Sequence, residues 1–392
     1  MKVVGLTGND AVAEAMRQID PDVCAAYPIT PQTELMEKFA QFVSDGLVKT
    51  ELVLAESEHS AMSACIGASA AGARVMTATS ANGLALMWEM LYIAASLRCP
   101  IVMSVVNRAL SGPINIHCDH SDSMGARDAG WIHLFSENSQ EAYDNTVQAV
   151  RIAENHDVFS PVMVTLDGFI ISHTLERVEI LDDAQVKKFV GEFVPRYPLL
   201  DTKNPITWGP LDFHDFYFEH KRGQIEALVK AHGIVQSVGK EYEALSGRHF
   251  DYFEPYRMED AEIAVVALGS AAGTARGVVD ELREKGRRVG LIKFRVFRPF
   301  PRKEIAQALK SLKALAVMDR SYSFGAYGGP VFAEIRSACY GTGLNIPVVN
   351  YIYGLGGRDT TFEEIRRLYE EMEEVASSGK RPEEIRFLNV RE

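Results

Sequence analysis

Paired or clustered thiols are missing from this sequence. Its five cysteines, Cys24, Cys65, Cys99, Cys118 and Cys339, are scattered over 392 residues without a CxxC pair. That spacing argues against both a zinc site and a disulfide framework. An iron–sulfur cluster needs four thiolates brought together, often from one closely spaced motif, and no such motif occurs. The thiols, mostly in hydrophobic or small-residue contexts, are expected to be buried and inert. Positive charge is also scarce: 41 Lys and Arg face 53 Asp and Glu, a net charge of −12. Binding to nucleic acid depends on clustered Lys and Arg, so that class of partner is excluded. A small anion remains open, because a single well-placed Arg can hold it. Long apolar runs are absent too. No stretch reaches the roughly 20 residues of a membrane span, and Met1–Gly8 lacks the apolar core of a secretory signal. No membrane partner and a cytoplasmic location are expected.

What is present is a chain with 47% hydrophobic and 24% charged residues, long enough for roughly two to three domains. From Gly8 to about Asp167, apolar runs alternate with helical periodicity. Val23–Tyr27, Leu52–Ala55, Arg74–Thr79, Ile101–Val106 and Val162–Leu166 read as strands. The near-continuous apolar run Ile101–Val106 suits a parallel sheet covered on both faces. Helices are expected at Ala11–Met16, capped by Asn9 or Asp10, at Glu34–Ser44, capped by Thr33, and at His59–Gly72 and Gly83–Leu97. Segment 172–260 holds Pro195, Pro198, Pro205 and Pro210 among aromatics, then helical periodicity from about Arg222 to Ser246. It reads as a connector with a helical hairpin. A second alternation starts at the strand Glu262–Leu268 and ends in a charged amphipathic helix, Glu363–Ala376, expected as a solvated surface element. The expectation is therefore α/β: a domain over 1–171, a connector over 172–260 and a second domain over 261–392.

Four stretches carry residues fit for chemistry, and each also has a structural reading. In Tyr27–Thr33, Pro28 and Pro31 flank Thr30 just after a strand. Ligands of open α/β sheets bind outside the strands' carboxyl ends, so the Thr30 hydroxyl is a candidate substrate donor. An ordinary turn is the alternative. Glu58 stands in the first turn of a helix whose continuation, Ala64–Ala73, is almost all small residues. A flat ring or another chain can approach such a surface, and a carboxylate at its mouth can pair with a ring nitrogen. Stabilisation by the helix dipole is the alternative. Arg108 follows a buried strand, and its fork suits a carboxylate, either a ligand's or a structural Asp or Glu. The run His117-Cys118-Asp119-His120-Ser121-Asp122 is open between a turn, an active-site loop and a metal site. The metal reading is the weakest, since four ligands must converge and neighbouring Asp119 and His120 project differently. Finally, Gly269–Gly273 follows a strand and opens a helix, where backbone N–H groups receive anions. It lacks the GxGxxG dinucleotide pattern.

Taken together, YPITPQT at Tyr27–Thr33, ESEHSAMSACIGASAAGAR at Glu56–Arg74, NRALSGPINIHCDHSD at Asn107–Asp122 and RDAGW at Arg127–Trp131 resemble one family. It is the α subunits of the 2-oxoacid:ferredoxin oxidoreductases, most closely the multi-subunit pyruvate:ferredoxin oxidoreductases. RVFRPFP at Arg295–Pro301 and GLGGRD at Gly354–Asp359 extend the resemblance toward the C-terminal region. It implies a pyrimidine-type thiamine-diphosphate-binding domain followed by a transketolase C-terminal-like α/β domain without assigned chemistry. Residue by residue, Glu58 matches the carboxylate that hydrogen-bonds the aminopyrimidine ring, with Pro28 and Ile29 beside the cofactor. Arg108 matches the arginine that pairs with the substrate carboxylate, and Thr30 the threonine that hydrogen-bonds it. Asn107 and Ile29, with the loop to Asp122, are expected around the substrate.

The implied activity is CoA-dependent oxidative decarboxylation of pyruvate to acetyl-CoA and CO2, reversible, with electrons passing to ferredoxin. A β-type partner would hold the diphosphate and Mg2+, and γ- and δ-type partners the [4Fe-4S] clusters. This chain has no Gly-Asp-Gly followed by an Asn pair and no cluster motif, and no metal ligand is assigned to it. An oxalate-using branch carries Arg where Thr30 stands, so the neutral Thr implies a monocarboxylate 2-oxoacid. Two alternatives stay open. One is a relative acting on a branched-chain 2-oxoacid or an aryl glyoxylate, NAD-linked through an extra subunit; the other is a non-catalytic assembly subunit.

Overall fold

The computed structural model describes residues 1–378 and 383–391. Seven strands form the first sheet, in the spatial order Val296–Arg298, Ile132–Phe135, Val162–Asp167, Val102–Asn107, Val75–Thr79, Val23–Ala26 and Glu51–Leu54. Six run parallel, and Val296–Arg298 pairs antiparallel with Ile132–Phe135. A parallel sheet with both faces covered needs strands without an exposed side, and every residue of Val102–Asn107 and Val162–Asp167 is buried. One face packs on the helices Gly8–Ile19, Thr33–Ser44 and Ser139–Ala153, and the other on Glu58–Ala71 and Trp88–Ser96. The chain runs from Val23–Ala26 outward to Glu51–Leu54, then returns to Val75–Thr79 on the opposite side. The winding direction thus reverses between Val23–Ala26 and Val75–Thr79. The crevice at the carboxyl ends of such strands is where doubly wound folds bind ligands.

The second sheet has six strands, in the order Ile385–Phe387, Val348–Ile352, Ala314–Asp319, Ile263–Ala267, Val289–Phe294 and Phe253–Tyr256. The last is antiparallel to its neighbour. Two apolar clusters cover its faces, one with the helices Ala271–Glu284 and Phe362–Ser378, the other with Arg302–Ala308 and Pro330–Cys339. The α/β class and the covered parallel sheet follow the sequence reading. No helix among the described residues is long and apolar enough to cross a membrane. Four of the five cysteines are buried, and burial pushes the Cys65 and Cys99 thiols up to about 12.

Several local expectations are corrected. Thr7, not Asn9 or Asp10, caps the first helix: its Oγ1 accepts from the Asp10 N–H at 3.1 Å, and the Asp10 carboxylate accepts from the Thr7 N–H at 3.4 Å. This reciprocal pair is a capping box. Thr33 lies inside its helix, and Gln32 at the cap position makes no side-chain cap bond. The helix expected over Gly83–Leu97 is two, Ala81–Leu86 and Trp88–Ser96, meeting at Met87. In place of a hairpin stands one 30-residue helix, Tyr217–Ser246, ended by Gly247 at a φ of 72°. Both ends of the connector join flanking structure. Glu176–Ile180 pairs with Lys2–Leu6, and Phe253–Tyr256 enters the second sheet. Nor is the tail helix merely solvated. Ile365, Leu368, Tyr369 and Met372 recur at helical spacing and are buried in the second core.

Candidate active site

The residues singled out by sequence follow three strands, on both sides of the winding reversal, into the crevice. Thr30 follows Val23–Ala26, Glu58 follows Glu51–Leu54, and Arg108 directly follows Val102–Asn107. Arg108 is only 7% exposed. Its Nε donates to the Asn115 carbonyl at 3.0 Å and its Nη1 to the Thr30 carbonyl at 2.9 Å. No carboxylate touches the guanidinium among the described residues, so the structural ion-pair reading falls. Asp122 accepts instead from the Arg108 backbone N–H, at 3.0 Å. A guanidinium held only by carbonyls keeps an uncompensated charge, and a buried charge of that kind costs several kcal/mol unless an anion joins it. Nη2 makes no hydrogen bond among the described residues, so part of the fork stays open to such an anion.

Thr30 therefore meets Arg108 through its carbonyl. Its hydroxyl has no partner among the described residues, and its side chain is exposed at the crevice with Pro28, while Ile29 is half-buried. Asn107 lies directly before Arg108. It is fully buried, and its Nδ2 braces the loop, donating to Asp122 Oδ1 at 2.8 Å and to Ser123 Oγ at 2.9 Å, while its Oδ1 has no partner among the described residues.

Glu58 opens the helix Glu58–Ala71, whose cap is Ser57, accepting from the Ser60 N–H at 3.2 Å. The Glu58 side chain is 6% exposed and makes no hydrogen bond among the described residues. Gly83 lies against it. A Cβ at Gly83 would stand 2.7 Å from Glu58 Oε1 and 2.6 Å from Thr79 Oγ1, so any larger residue there must displace them. The Thr79 hydroxyl is itself buried and unpaired. A buried carboxylate without a donor, beside a glycine cradle and a small-residue helix, fits a flat ring that brings its own hydrogen-bonding nitrogen. The residues present are therefore compatible with the aminopyrimidine of thiamine diphosphate.

The loop between Arg108 and Asp122 is gripped from the second half of the chain. Asn115 Nδ2 donates to the Gly356 carbonyl at 3.0 Å, and the Gly356 N–H donates to Asp119 Oδ2 at 3.1 Å. The His120 N–H donates to the Arg320 carbonyl at 2.8 Å. Its Nε2 lies 2.8 Å from Asp167 Oδ1, while Arg320 Nη1 lies 3.0 Å from Asp167 Oδ2. Asp119 and His120 do project differently, as expected. Burial alone would raise the Asp167 carboxyl, but His120 and Arg320 hold it well below the usual carboxylate range. The Ser270 N–H and hydroxyl also donate to Asp167, at 3.0 and 2.6 Å. Gly269–Gly273 thus receives an anion, and the anion is the chain's own Asp167. Cys118, His120 and Asp167 bring three ligand atoms within 4.8 Å of one another. The Asp167 charge is already met by Arg320, however, and burial pushes the Cys118 thiol up. Sequence reasoning marked the Gly269–Gly273 turn that contains Ser270 but missed Asp167, which ends the strand Val162–Asp167, and Arg320, which follows Ala314–Asp319, neither with a local pattern to mark it. It also assigned the second half no part in the site, yet that half holds the loop whose Asn115 carbonyl receives Arg108.

Comparison with known proteins bears on this arrangement. Residues 14–240 match the family described as "Pyruvate flavodoxin/ferredoxin oxidoreductase, thiamine diP-bdg", and residues 261–365 match "Pyruvate:ferredoxin oxidoreductase core domain II". Pyruvate synthase subunit PorA of Thermotoga maritima is 58% identical over 389 residues, covering 99% of this chain and 98% of that one. Ketoisovalerate oxidoreductase subunit VorA of Pyrococcus horikoshii is 43% identical over 387 residues, covering 98% of each. The solved 2-oxoglutarate:ferredoxin oxidoreductase of Magnetococcus marinus superposes with a TM-score of 0.73 over 94% of this chain and 65% of that one. At 21% identity that likeness speaks for the fold alone. With both halves matched in order and whole-length relatives on either side of the substrate question, the chain belongs to the pyruvate flavodoxin/ferredoxin oxidoreductase family.

Proposed function

We propose that this chain is the α subunit of a cytoplasmic pyruvate:ferredoxin oxidoreductase. The complex would convert pyruvate, coenzyme A and oxidised ferredoxin to acetyl-CoA, CO2 and reduced ferredoxin, reversibly. One observation carries the reading: a nearly buried Arg108 with no acidic partner among the described residues, donating to the Thr30 carbonyl, with Glu58 following the strand beside that of Thr30. The 58% identity to a pyruvate synthase subunit over nearly the whole chain supports pyruvate. Bound thiamine diphosphate supplies an acidic thiazolium carbon and an electron-accepting ring. Glu58 holds a proton against its aminopyrimidine nitrogen, with Pro28 and Ile29 lining the approach. Arg108 takes the substrate carboxylate in its open fork and fixes the 2-oxo group's orientation, and the Thr30 hydroxyl donates to the same carboxylate. A β-type subunit supplies the diphosphate and Mg2+ site, and γ- and δ-type subunits the [4Fe-4S] clusters leading to ferredoxin.

A substrate panel on the assembled complex tests the acid. Pyruvate should show a kcat/KM at least about tenfold above 2-oxoisovalerate and phenylglyoxylate, since each methylene is worth roughly 1–3 kcal/mol of discrimination. A bulkier acid turned over faster than pyruvate would move the chain to the branched-chain or aryl alternative. Gly83→Ala tests the cofactor cradle. The new methyl must displace the Glu58 carboxylate, and overpacking of this kind costs about 1–3 kcal/mol. Thiamine diphosphate should bind the complex about tenfold more weakly, read by cofactor titration, and unchanged affinity would place the ring elsewhere.

A further inference from the structure

Asp122 is the least expected group near the crevice. It is 3% exposed and has no cationic partner among the described residues, yet it accepts four N–H bonds. Oδ2 takes the backbone N–H groups of Ala81 and Arg108, each at 3.0 Å. Oδ1 takes Asn107 Nδ2 at 2.8 Å and the Ser123 N–H at 2.7 Å. The two backbone donors on Oδ2 belong to different strand ends. Arg108 follows Val102–Asn107, and Ala81 opens the short helix after Val75–Thr79 whose Gly83 abuts Glu58. Ala81 also stands at a φ of +40°, a conformation a residue with a Cβ adopts only when its surroundings hold it.

We infer that Asp122 is a positioning residue that sets Arg108 and the Gly83 wall behind Glu58 to one common reference, and so fixes substrate and cofactor relative to each other. The inference rests on the roles given above to Arg108 and Glu58. A carboxylate oxygen suits the task because it accepts two N–H donors at once, and the donors it joins are main-chain groups that no rotamer change can move. Burial pushes the Asp122 carboxyl up to about 6, while the four donors favour its charged form. An asparagine in its place offers one acceptor oxygen and sets an N–H against either the Ala81 and Arg108 donors or the Asn107 and Ser123 donors. In the first orientation the two strand ends separate, and in the second the group loses the Asn107 and Ser123 donors that hold it in place between them.

The test is Asp122→Asn in the fully assembled complex, alone and combined with Arg108→Ala. Asp122→Asn should raise the pyruvate KM about tenfold and slow deuterium exchange at the cofactor C2 several-fold, because small misplacements of reacting groups cost rate steeply. In the Arg108→Ala background the same change should move KM less than about twofold, since the group it positions is gone. Multiplicative effects in the double variant would mark a merely structural role and overturn the inference. So would wild-type KM and exchange in Asp122→Asn while Arg108→Ala is impaired, which leaves the proposed function standing. Wild-type KM in Arg108→Ala would instead overturn the function reading itself. Should Asp122→Asn not assemble, Asn107→Leu removes one donor to the same carboxylate. It should give a smaller KM rise that again vanishes without Arg108, and an unchanged KM there also overturns the inference.

Discussion

Arg108→Ala in the assembled complex should lower kcat/KM for pyruvate by about a thousandfold while leaving thiamine diphosphate binding unchanged. Among the described residues the nearly buried guanidinium meets only the carbonyls of Asn115 and Thr30, and on the proposed function the substrate carboxylate is its anionic partner. Removing one side of a buried charge pair costs roughly 3–5 kcal/mol, and each 1.4 kcal/mol is tenfold. Arg108→Lys should recover only part of the loss. An ammonium restores the charge but not the planar fork, and it cannot also hold both carbonyls in the same geometry. Steady-state kinetics with pyruvate give the readout. A change below about threefold would mean that the carboxylate binds elsewhere, and would favour a non-catalytic assembly role for this chain.

The second large effect is expected at Glu58. Glu58→Gln keeps the shape that packs against Gly83 and the cap at Ser57, so the fold and the cofactor should remain in place. The amide cannot hold the shared proton against the aminopyrimidine nitrogen, and a positioned proton-transfer group is worth about 10²–10⁴-fold. Deuterium exchange at the thiazolium C2, followed after rapid quenching, should slow by that order, and pyruvate turnover with it. Exchange at the wild-type rate would remove Glu58 from the chemistry and leave it as a helix-terminal carboxylate.

Thr30, Glu58 and Arg108 were legible because each sits within a few residues of a strand's carboxyl end, where chain order reports spatial position. Asp122 was legible only as one residue of a polar turn. The two donors on its Oδ2 are backbone N–H groups 14 and 41 residues away, and a main-chain donor leaves no mark in a side-chain pattern. Distance also hid Val296–Arg298, three residues long, whose partner strand Ile132–Phe135 is remote in sequence. The long helix was misread for a different reason. Gly223, Gly233 and Gly239 interrupt Tyr217–Ser246 and weaken its helical signal. Gly239 is explained only by packing, since a Cβ there would stand 2.3 Å from the Phe250 carbonyl oxygen. The helix cap went to Thr7 because its hydroxyl and Asp10 pair reciprocally, and the first turn begins at Gly8, three residues before the apolar periodicity does.

Val296–Arg298 has a consequence for anyone who would recombine this protein with its relatives. A cut near residue 260 separates the sequence into two α/β stretches, but it strips the first sheet of its edge strand and bares Ile132–Phe135 to whatever chain comes near. The Gly356 and Arg320 grip on the Arg108 loop would leave with it. Chimaeras joined there should inherit their substrate-loop behaviour from the donor of the C-terminal half, although every residue assigned to the substrate lies in the N-terminal half.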